Sequence, residues 1–507
     1  MLQNPLRTFE HKFYYSMNDR DDAEVIPDFY AQNIENWLLR NVGQLEMRDG
    51  LTARGSSPSQ TNLGGAVLYK YNGTKKLLRV INGSGNSTKF QHSEDGSTWT
   101  DVSGGGSRTT GVVWVFVQAN QFIYGVNGTD TPIKYDGDTI STVSAIPNGK
   151  AIEWWKNRLW VFAVTAVPDR LYFSGASDPE TYGGSDFINV NLGDQSTGVG
   201  LKGTPGSSGR LYVGKARSWW YITGSSGSDF ALNNLTYEFG LASHEATTQV
   251  GNEVWAVDLE GNIRKLYRTD FDVPFGNLAS AEIQSTIAGL NKAAIAKATA
   301  TYFNNFALFF VANGVDDYNS LVLVWDTLCN DGKGGWMKFT NWRIARAIVF
   351  NETTPKLFLH DSRTGNGQTY QWTGTSDNGQ SITAKYETKI YNHGFPERVK
   401  VWRFGDQFAN AIGNVTSRFY TSIDRYYYSL VDSPSLLGTG NKLLGVDWTL
   451  GTDKLGSGGI VKERVNFSSG GSNYEGYSLQ VKLEAESSTT KIKLRAWTAY
   501  YRIRGLR

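Results

Sequence analysis

The chain has 507 residues, of which 40% are apolar, and a formal net charge of +2. A chain of this length predicts two to four domains or one large closed β architecture, and its near-zero charge gives no global field that would attract nucleic acid or a membrane surface. The single cysteine, Cys329, excludes an internal disulfide framework and a cysteine-based zinc site. The 56 glycines and the 13% aromatic content favour many short strands joined by glycine turns.

The N-terminal sequence has no continuous apolar stretch of the signal-peptide type, and no segment approaches the ~20 apolar residues that a membrane span needs. We therefore expect a protein without a signal peptide or a membrane span, synthesised in a cytoplasm. Residues 1–60 contain few runs of strand length and many polar residues. We expect them to form an irregular N-terminal arm that docks on the rest of the chain.

Between residues 61 and 376, a tetrapeptide of the form Asn/Gly/Pro–x–apolar–apolar recurs at intervals of 37 to 55 residues. Each copy is followed by a second apolar run that ends in a turn, as in the pair "NRLW" and "RLYFSG". The copies begin at Gly65, Asn120, Asn157, Gly209, Asn252, Asn305 and Pro355.

A repeat of about 40–50 residues built from short strands is typical of a β-propeller blade. One such sheet cannot bury both of its faces, whereas sheets packed radially bury each other's aromatic faces. The sequence therefore predicts an all-β protein in which residues 61–376 form a β-propeller of six or seven blades. Because the pattern is degenerate, a set of β-sandwich domains is the alternative.

One helix is predicted inside this region, over Leu278–Asn291. Ile283, Ile287 and Leu290 follow a helical spacing, and Ser280 can cap the start of the helix. We expect this helix to lie against the sheets as a connector.

Residues 377–507 contain longer alternating strands separated by Gly/Ser loops, which predicts a β-sandwich-like C-terminal domain. This domain can also contribute strands back to the propeller. Its last strand and tail are basic, through Lys491, Lys493, Arg495, Arg502, Arg504 and Arg507. The basic face is either solvated or a non-specific electrostatic contact for an acidic partner or passing DNA.

The segment "SEDGSTWTDV" (Ser93–Val102) resembles the Asp-box turn of sialidases, in which a tryptophan, here Trp99, closes a Ser/Asp/Gly-rich turn. Its spacing departs from that of the sialidase turn, which is itself structural. The chain has no G-x-S-x-G elbow, P-loop or EF-hand spacing. No two histidines share a short metal-ligand spacing; they are His11, His92, His244, His360 and His393. We therefore predict no enzyme activity, no cofactor, and no catalytic, cofactor-binding or metal-binding residue.

Four further segments stand in a defined order along the chain. They are "ENWLLRNVGQLEMRDGLTARG" (35–55), "KNRLWVFA" with "RLYFSGASDPETY" (156–182), Ser280–Ile287 with "TYFNNFALFFV", and "VWDTLCNDGKGGWMKF" with "KLFLHDSRTGNGQTYQW". In this order they resemble the tail nozzle and tail-stabilisation β-propeller proteins of short-tailed bacteriophages. The resemblance covers most of residues 35–375 and is less clear in the C-terminal domain.

The resemblance implies a structural virion protein of the phage tail, made in the host cytoplasm. Such proteins form a ring, commonly six-fold, that extends the tail channel, retains the packaged genome and supports fibres, a needle or host attachment. The implied partners are other copies of the chain, neighbouring tail proteins and, transiently and non-specifically, the ejected DNA.

Two other functions are compatible with the sequence. A carbohydrate-binding or glycan-cleaving receptor-recognition propeller is suggested by the Asp-box-like turn and by the many Trp and Tyr residues. A tail-tip hub of a long-tailed phage could be built on the same propeller.

Overall fold

The computed structural model describes residues 5–13, 16–40, 43–83, 87–104, 106–266, 277–411, 413–433, 435–438, 460–467 and 474–504. Strands dominate this part of the chain. The helical segments are His244–Ala246, Ala281–Ile283, Gln284–Ala288 and Lys292–Lys297. None of the helices found in the described ranges has the length and apolar character needed to cross a membrane.

Seven consecutive four-stranded units make up most of the fold. Blade 1 contains Asn62–Tyr69, Lys75–Asn82, Thr88–Ser93 and Thr100–Asp101; blade 2 contains Val115–Ala119, Phe122–Val126, Ile133–Tyr135 and Ile140–Thr142; blade 3 contains Ala151–Trp155, Arg158–Phe162, Arg170–Phe173 and Phe187–Asn189; blade 4 contains Gly198–Gly203, Leu211–Lys215, Trp219–Thr223 and Ala231–Thr236. Blade 5 contains Thr247–Val250, Glu253–Val257, Ile263–Leu266 and Asn277–Leu278; blade 6 contains Thr299–Phe303, Phe306–Val311, Leu321–Asp326 and Gly335–Thr340; blade 7 contains Ile344–Phe350, Lys356–Asp361, Thr369–Trp372 and Leu51–Arg54.

The blades are arranged in a closed ring. First strands of successive blades pack side by side, and the first strand of blade 7 packs against that of blade 1. Between blades 4 and 5 the short segment His244–Ala246 packs against the first strand of blade 4. Six blades are independent four-stranded sheets, and blade 6 is the first part of a ten-stranded sheet. The architecture is that of a seven-unit β-propeller, which confirms the predicted all-β propeller.

The two sequence signals correspond to defined places in each blade. In blades 2–7 the tetrapeptide begins in the turn before the second strand and runs into the start of that strand. In blade 1 it lies within the first strand. The second apolar run is the third strand of every blade. Asparagine recurs at the turn because tight hairpins need positive φ, as at Asn304 (φ 50°) and Asn305 (φ 67°).

Residues 1–60 differ from the predicted irregular arm, because the described part of this segment contributes five strands. Leu51–Arg54 is the outer strand of blade 7 and pairs with Thr369–Trp372. The other four are Arg7–Lys12, Ala31–Glu35, Trp37–Leu38 and Leu45–Met47. These strands are short, so local patterning did not indicate them. Trp37–Leu38 pairs with the nearby Leu45–Met47, whereas the other partners lie hundreds of residues away.

The described part of residues 377–507 contributes to two sheets whose buried apolar residues belong to one cluster. Ala31–Glu35 joins the last strand of blade 6 to Ile382–Tyr391, and this sheet continues through Leu479–Ser487, Gly413–Ile423, Ser429–Asp432 and Ser435–Gly438. The second sheet contains Arg7–Lys12, Trp37–Leu38, Leu45–Met47, Lys400–Ala411, Ile460–Asn466, Glu475–Gly476 and Ile492–Ile503. One continuous sheet therefore joins the propeller to the C-terminal domain.

The predicted helix over Leu278–Asn291 is shorter than expected. Ile283, Ile287 and Leu290, whose helical spacing predicted one apolar face, are all buried. The predicted cap is wrong: Ser280 makes no capping hydrogen bond, and Asp19 of the arm instead accepts hydrogen bonds from the backbone N–H groups of Ser285 and Thr286, each at 3.0 Å.

Candidate functional site

A cavity of about 620 Å³ lies at the axis of the propeller. Its lining includes residues at or just before the first strand of all seven blades, which is the part of a propeller that surrounds the axis. Its lining mixes apolar residues, such as Val112, Val199 and Ala298, with polar and charged residues such as Asn62 and Arg346. The axial cavity is therefore lined by parts of every blade.

An ion pair connects three elements at this cavity. Arg346, on the first strand of blade 7, pairs with Glu245 on the segment before blade 5, and its Nε donates to the carbonyl oxygen of Gly65 in blade 1 at 3.2 Å. Burial lowers the pKa of Arg346 to about 10, so the guanidinium remains charged at neutral pH. This pair fixes the positions of blades across the axis.

His244 also lines the cavity, and one of its two ring nitrogens, Nδ1, already accepts a hydrogen bond. Its Nδ1 accepts a hydrogen bond from the backbone N–H of Leu201 at 3.1 Å. Burial lowers the pKa of His244 to about 3, and the nearby Arg346 acts in the same direction. The imidazole is therefore neutral and holds the segment before blade 5 against blade 4.

Three buried oxygens at the cavity have no hydrogen-bond partner within the described chain: Asn62 Oδ1, Glu245 Oε1 and Asn319 Oδ1. The Asn62 amide donates to the carbonyl of Asp361 at 3.0 Å, and Ser362 Oγ donates to the carbonyl of Asn319 at 3.1 Å. The two asparagines therefore flank one corner of the cavity. These oxygens can accept hydrogen bonds from water or another small donor.

The Asp-box-like turn is a structural element of blade 1. Asp95 Oδ1 accepts hydrogen bonds from the N–H groups of Ser97 and Thr98 at 2.8 and 3.0 Å, and Trp99 Nε1 donates to the carbonyl of Gly96 at 3.0 Å. The N–H of Thr98 holds the pKa of Asp95 below its ordinary value. Arg79 lies over the Trp99 ring at 4.1 Å.

Arg79 extends this arrangement to the ring closure. Arg79 is 1% exposed, and its Nη1 donates to the carbonyl of Gly367 and to Thr369 Oγ1 of blade 7, both at 3.2 Å. The turn and Arg79 together stabilise the junction of the first and last blades.

The "DPE" segment of blade 3 contacts blade 2. Glu180 Oε1 accepts hydrogen bonds from Lys134 Nζ at 2.6 Å and from Tyr124 OH at 2.8 Å. Burial favours a higher pKa for Glu180, but these bonds outweigh it and hold the pKa below its ordinary value. The loop after the third strand of blade 3 therefore connects two neighbouring blades.

A buried lysine connects blades 3 and 4. Lys215 Nζ lies 2.8 Å from Asp169 Oδ1 and 2.6 Å from Asp194 Oδ1, and it also contacts the carbonyls of Val190 and Asn191 at 3.1 and 3.2 Å. The Lys215 side chain is fully buried, whereas the side chains of Asp169 and Asp194 are 19% and 18% exposed.

Replacing Lys215 by methionine is expected to lower the free energy of unfolding by roughly 2–4 kcal/mol, because two carboxylates lose their buried partner. Guanidinium titration measures this loss. The exposed Lys333→Met serves as the control and should change the free energy of unfolding by less than about 0.5 kcal/mol. Equal effects of the two variants would contradict the role of Lys215.

The predicted basic C-terminal strand is largely paired within the chain. Lys491 pairs with Asp49, Lys493 Nζ lies 3.1 Å from Glu46 Oε2, and Arg495 Nε donates to Asn410 Oδ1 at 2.6 Å. Arg504 pairs with Glu475, and Arg507 lies outside the described residues. These cations hold the N-terminal segment and a neighbouring strand.

Cys329 is buried, and burial raises the pKa of its thiol to about 12. The thiol therefore stays protonated and lies in the core. Within the described ranges, no group of three or more His, Cys, Asp or Glu side chains is arranged to hold a metal ion.

Sequence patterning missed the charged residues that connect the blades. Lys215 ends the strand "LYVGK", and Arg346 stands inside the strand "IARAIVF"; both strands are otherwise free of charged residues. A cation in such a strand indicates a buried partner, because a buried charge is normally paired. That signal was present, but it does not identify the partner.

No family model matches the chain, and no curated protein sequence is similar to it at a significant level. Among solved structures, the chain is similar to Raptor from Chaetomium thermophilum, with a TM-score of 0.43 and 13% identity over 65% of this chain and 28% of that one. It is also similar to YCF48 from Cyanidioschyzon merolae (TM-score 0.38, 8% identity, 64% of this chain and 98% of that one) and to the WD40 domain of Toxoplasma gondii coronin (TM-score 0.34, 8% identity, 73% and 87%). The class of protein, a β-propeller, is defined by the strand order of the chain itself.

Proposed function

We propose that this chain is a structural subunit of a bacteriophage tail, which forms a ring-shaped nozzle at the distal end of the tail. The nozzle extends the channel, retains the packaged genome and supports fibres, a needle or host attachment. The observation that carries the proposal is the order of the four segments that resemble tail nozzle proteins. They fall on the closing strand of blade 7, on blade 3, on blades 5 and 6, and on blades 6 and 7.

The geometry of these segments supports a structural role. The first contains Leu51–Arg54, which completes blade 7, and the second contains Glu180, which contacts blade 2. A subunit that surrounds a channel must keep its shape while its neighbours press on it. The continuous sheet from blade 6 into the C-terminal domain favours such rigidity.

The chemistry of the axial cavity and of the single cysteine also favours a non-enzymatic protein. His244 accepts a backbone hydrogen bond, Arg346 neutralises Glu245, and the Cys329 thiol is protonated in the core. His244, Glu245 and Cys329 thus each have a structural contact in the described chain. We infer that the fold serves assembly.

Electron microscopy and sedimentation velocity of the purified full chain test the proposal. The expected result is a closed ring with a fixed number of subunits, together with labelling of the distal tail of phage particles by an antibody against the chain. A folded monomer at about 100 µM that is absent from particles would overturn the proposal. Labelling of a long-tailed particle at its tail tip would instead favour the hub alternative.

A further inference from the structure

A tyrosine-rich loop projects from the C-terminal domain at Asp424–Tyr428. Tyr426 is 77% exposed and Tyr427 is 95% exposed. Asp424 and Arg425 both have positive φ, at 51° and 65°, which makes the turn sharp. Asp424 Oδ1 accepts hydrogen bonds from the N–H groups of Tyr477 and Ser478 at 2.7 and 2.8 Å. The two exposed rings are therefore presented on a fixed backbone.

A hollow of about 690 Å³ lies between this loop and the N-terminal segment. Its wall contains the amides of Gln32 and Gln480: Gln480 Nε2 donates to Gln32 Oε1 at 2.9 Å and to the carbonyl of Thr388 at 2.8 Å. The hydroxyl of Tyr428, which also lines the hollow, is buried and has no hydrogen-bond partner within the described chain. The hollow thus combines aromatic rings with fixed amides and an unused hydroxyl.

A bidentate ion pair forms another part of the wall. Arg425 Nη1 and Nη2 each lie 2.9 Å from an oxygen of Asp22, and Nη2 lies 2.8 Å from Glu24 Oε2. Arg425 and Asp22 line the hollow, so its charged lining residues are balanced. Such a pair offers a hydrogen-bond donor and an acceptor side by side without attracting a strongly charged ligand.

We propose that this tyrosine hollow binds a neutral oligosaccharide. The negative face of an aromatic ring attracts the C–H groups of a sugar ring, and adjacent hydroxyls of the sugar match the Arg425–Asp22 pair, the glutamine amides and Tyr428 OH. The volume is in the range of about 300–1,000 Å³ found for small-ligand sites. The site lies on the C-terminal domain and does not depend on ring formation. The sugar-binding proposal can therefore be tested independently of the nozzle proposal.

A flat protein partner fits this surface less well. If an apolar protein surface covered the hollow, Asp22, Glu24 and Arg425 would lose their contacts with water. The ion pairs between these residues would not offset the free energy of that desolvation. The exposed rings are also all tyrosines, which keep a polar group at the rim.

The test is a printed array of neutral glucose, galactose, mannose and N-acetylhexosamine oligosaccharides beside sialylated and uronic acid oligosaccharides, followed by calorimetry with the best neutral oligosaccharide. We expect binding to neutral sugars, at least a tenfold loss of affinity in Tyr426→Ala/Tyr427→Ala, and a smaller loss in Tyr428→Phe. Tyr71→Ala is the matched control, because Tyr71 is 84% exposed on blade 1 and should leave affinity unchanged.

Thermal unfolding of each variant should match that of the parent chain, since the exposed rings contribute little to folding. Absence of binding to every neutral sugar, or full affinity in the double variant, would overturn the proposal. So would a double variant that changes only the oligomeric state, because that result would assign the loop to contacts between copies of the chain.

Discussion

Lowering the pH from 6.5 to 4.5 is expected to destabilise the protein severely. Burial lowers the pKa of His11, His244, His360 and His393 to about 3 each, against an ordinary value of 6.5. These histidines stay neutral in the folded protein and bind protons when it unfolds, so their stabilising effect is complete above pH 6.5 and is lost as the pH falls towards 3. Each lowers the free energy of unfolding by about 1.4 kcal/mol per pH unit of acidification in this range, and four together lower it by roughly 5–6 kcal/mol per unit.

The hydrogen bonds of these rings explain why protonation is unfavourable. Both ring nitrogens of His11 are paired with tyrosine hydroxyls, Nε2 with Tyr386 at 3.0 Å and Nδ1 with Tyr391 at 2.7 Å. His360 Nδ1 lies 3.0 Å from Thr369 Oγ1. A charged ring at either position would be buried without a carboxylate partner.

The midpoint of guanidinium unfolding, followed by tryptophan fluorescence from pH 7 to 4.5, measures the effect. His360→Asn should reduce the pH slope by about 1.4 kcal/mol per unit, because one proton-binding group is removed. His92→Asn is the comparison: His92 is only partly buried, and burial lowers its pKa less than it lowers that of His360, so this variant should reduce the slope by less than His360→Asn does. A midpoint independent of pH across this range would contradict the prediction.

Breaking the ion pair between Arg48 and Asp377 is expected to cost about 3–5 kcal/mol, because the remaining charge would be buried without a partner. Arg48 Nη1 and Nη2 donate to the two oxygens of Asp377 at 2.9 and 2.6 Å, and Nε donates to Asn36 Oδ1 at 2.8 Å. The Arg48 side chain is fully buried and that of Asp377 is 8% exposed. The pair joins the N-terminal segment to the start of the C-terminal domain.

Arg48→Met and Asp377→Asn, separately and together, test this prediction by guanidinium titration. The double variant should lose less than the sum of the single losses, since neither charge is then left alone. Arg20→Met is the matched control: Arg20 also makes a bidentate pair, with Asp21 at 2.8 and 3.0 Å, but at the surface, and should cost less than about 1 kcal/mol. Additive single losses would contradict the coupling.

Local patterning predicted the blades well because each blade is built from neighbouring hairpins. The second and third strands carry the strongest apolar runs, as at Phe306–Val311, where every residue is buried. The first and fourth strands are more polar or shorter, so the pattern alone left the number of blades open at six or seven.

The features of the fold that could not be predicted from the sequence are pairings between residues that lie far apart along the chain. Leu51–Arg54 is too short for its sequence to predict a strand. Only its pairing with Thr369–Trp372 identifies it as one. Arg48 and Asp377 are likewise 329 positions apart. The tyrosines at 426–428 were visible in the sequence, but the hollow beside them depends on Gln32 of the N-terminal segment.

The closure of blade 7 by an N-terminal strand has a consequence for synthesis. Leu51–Arg54 leaves the ribosome early, and its partner Thr369–Trp372 is made only some 300 residues later. At about 5–20 residues per second, the nascent chain carries an unmatched strand for roughly 15–60 seconds. The ring can therefore close only late in translation or after release, and a chaperone that shields the early segment should raise the yield of native protein.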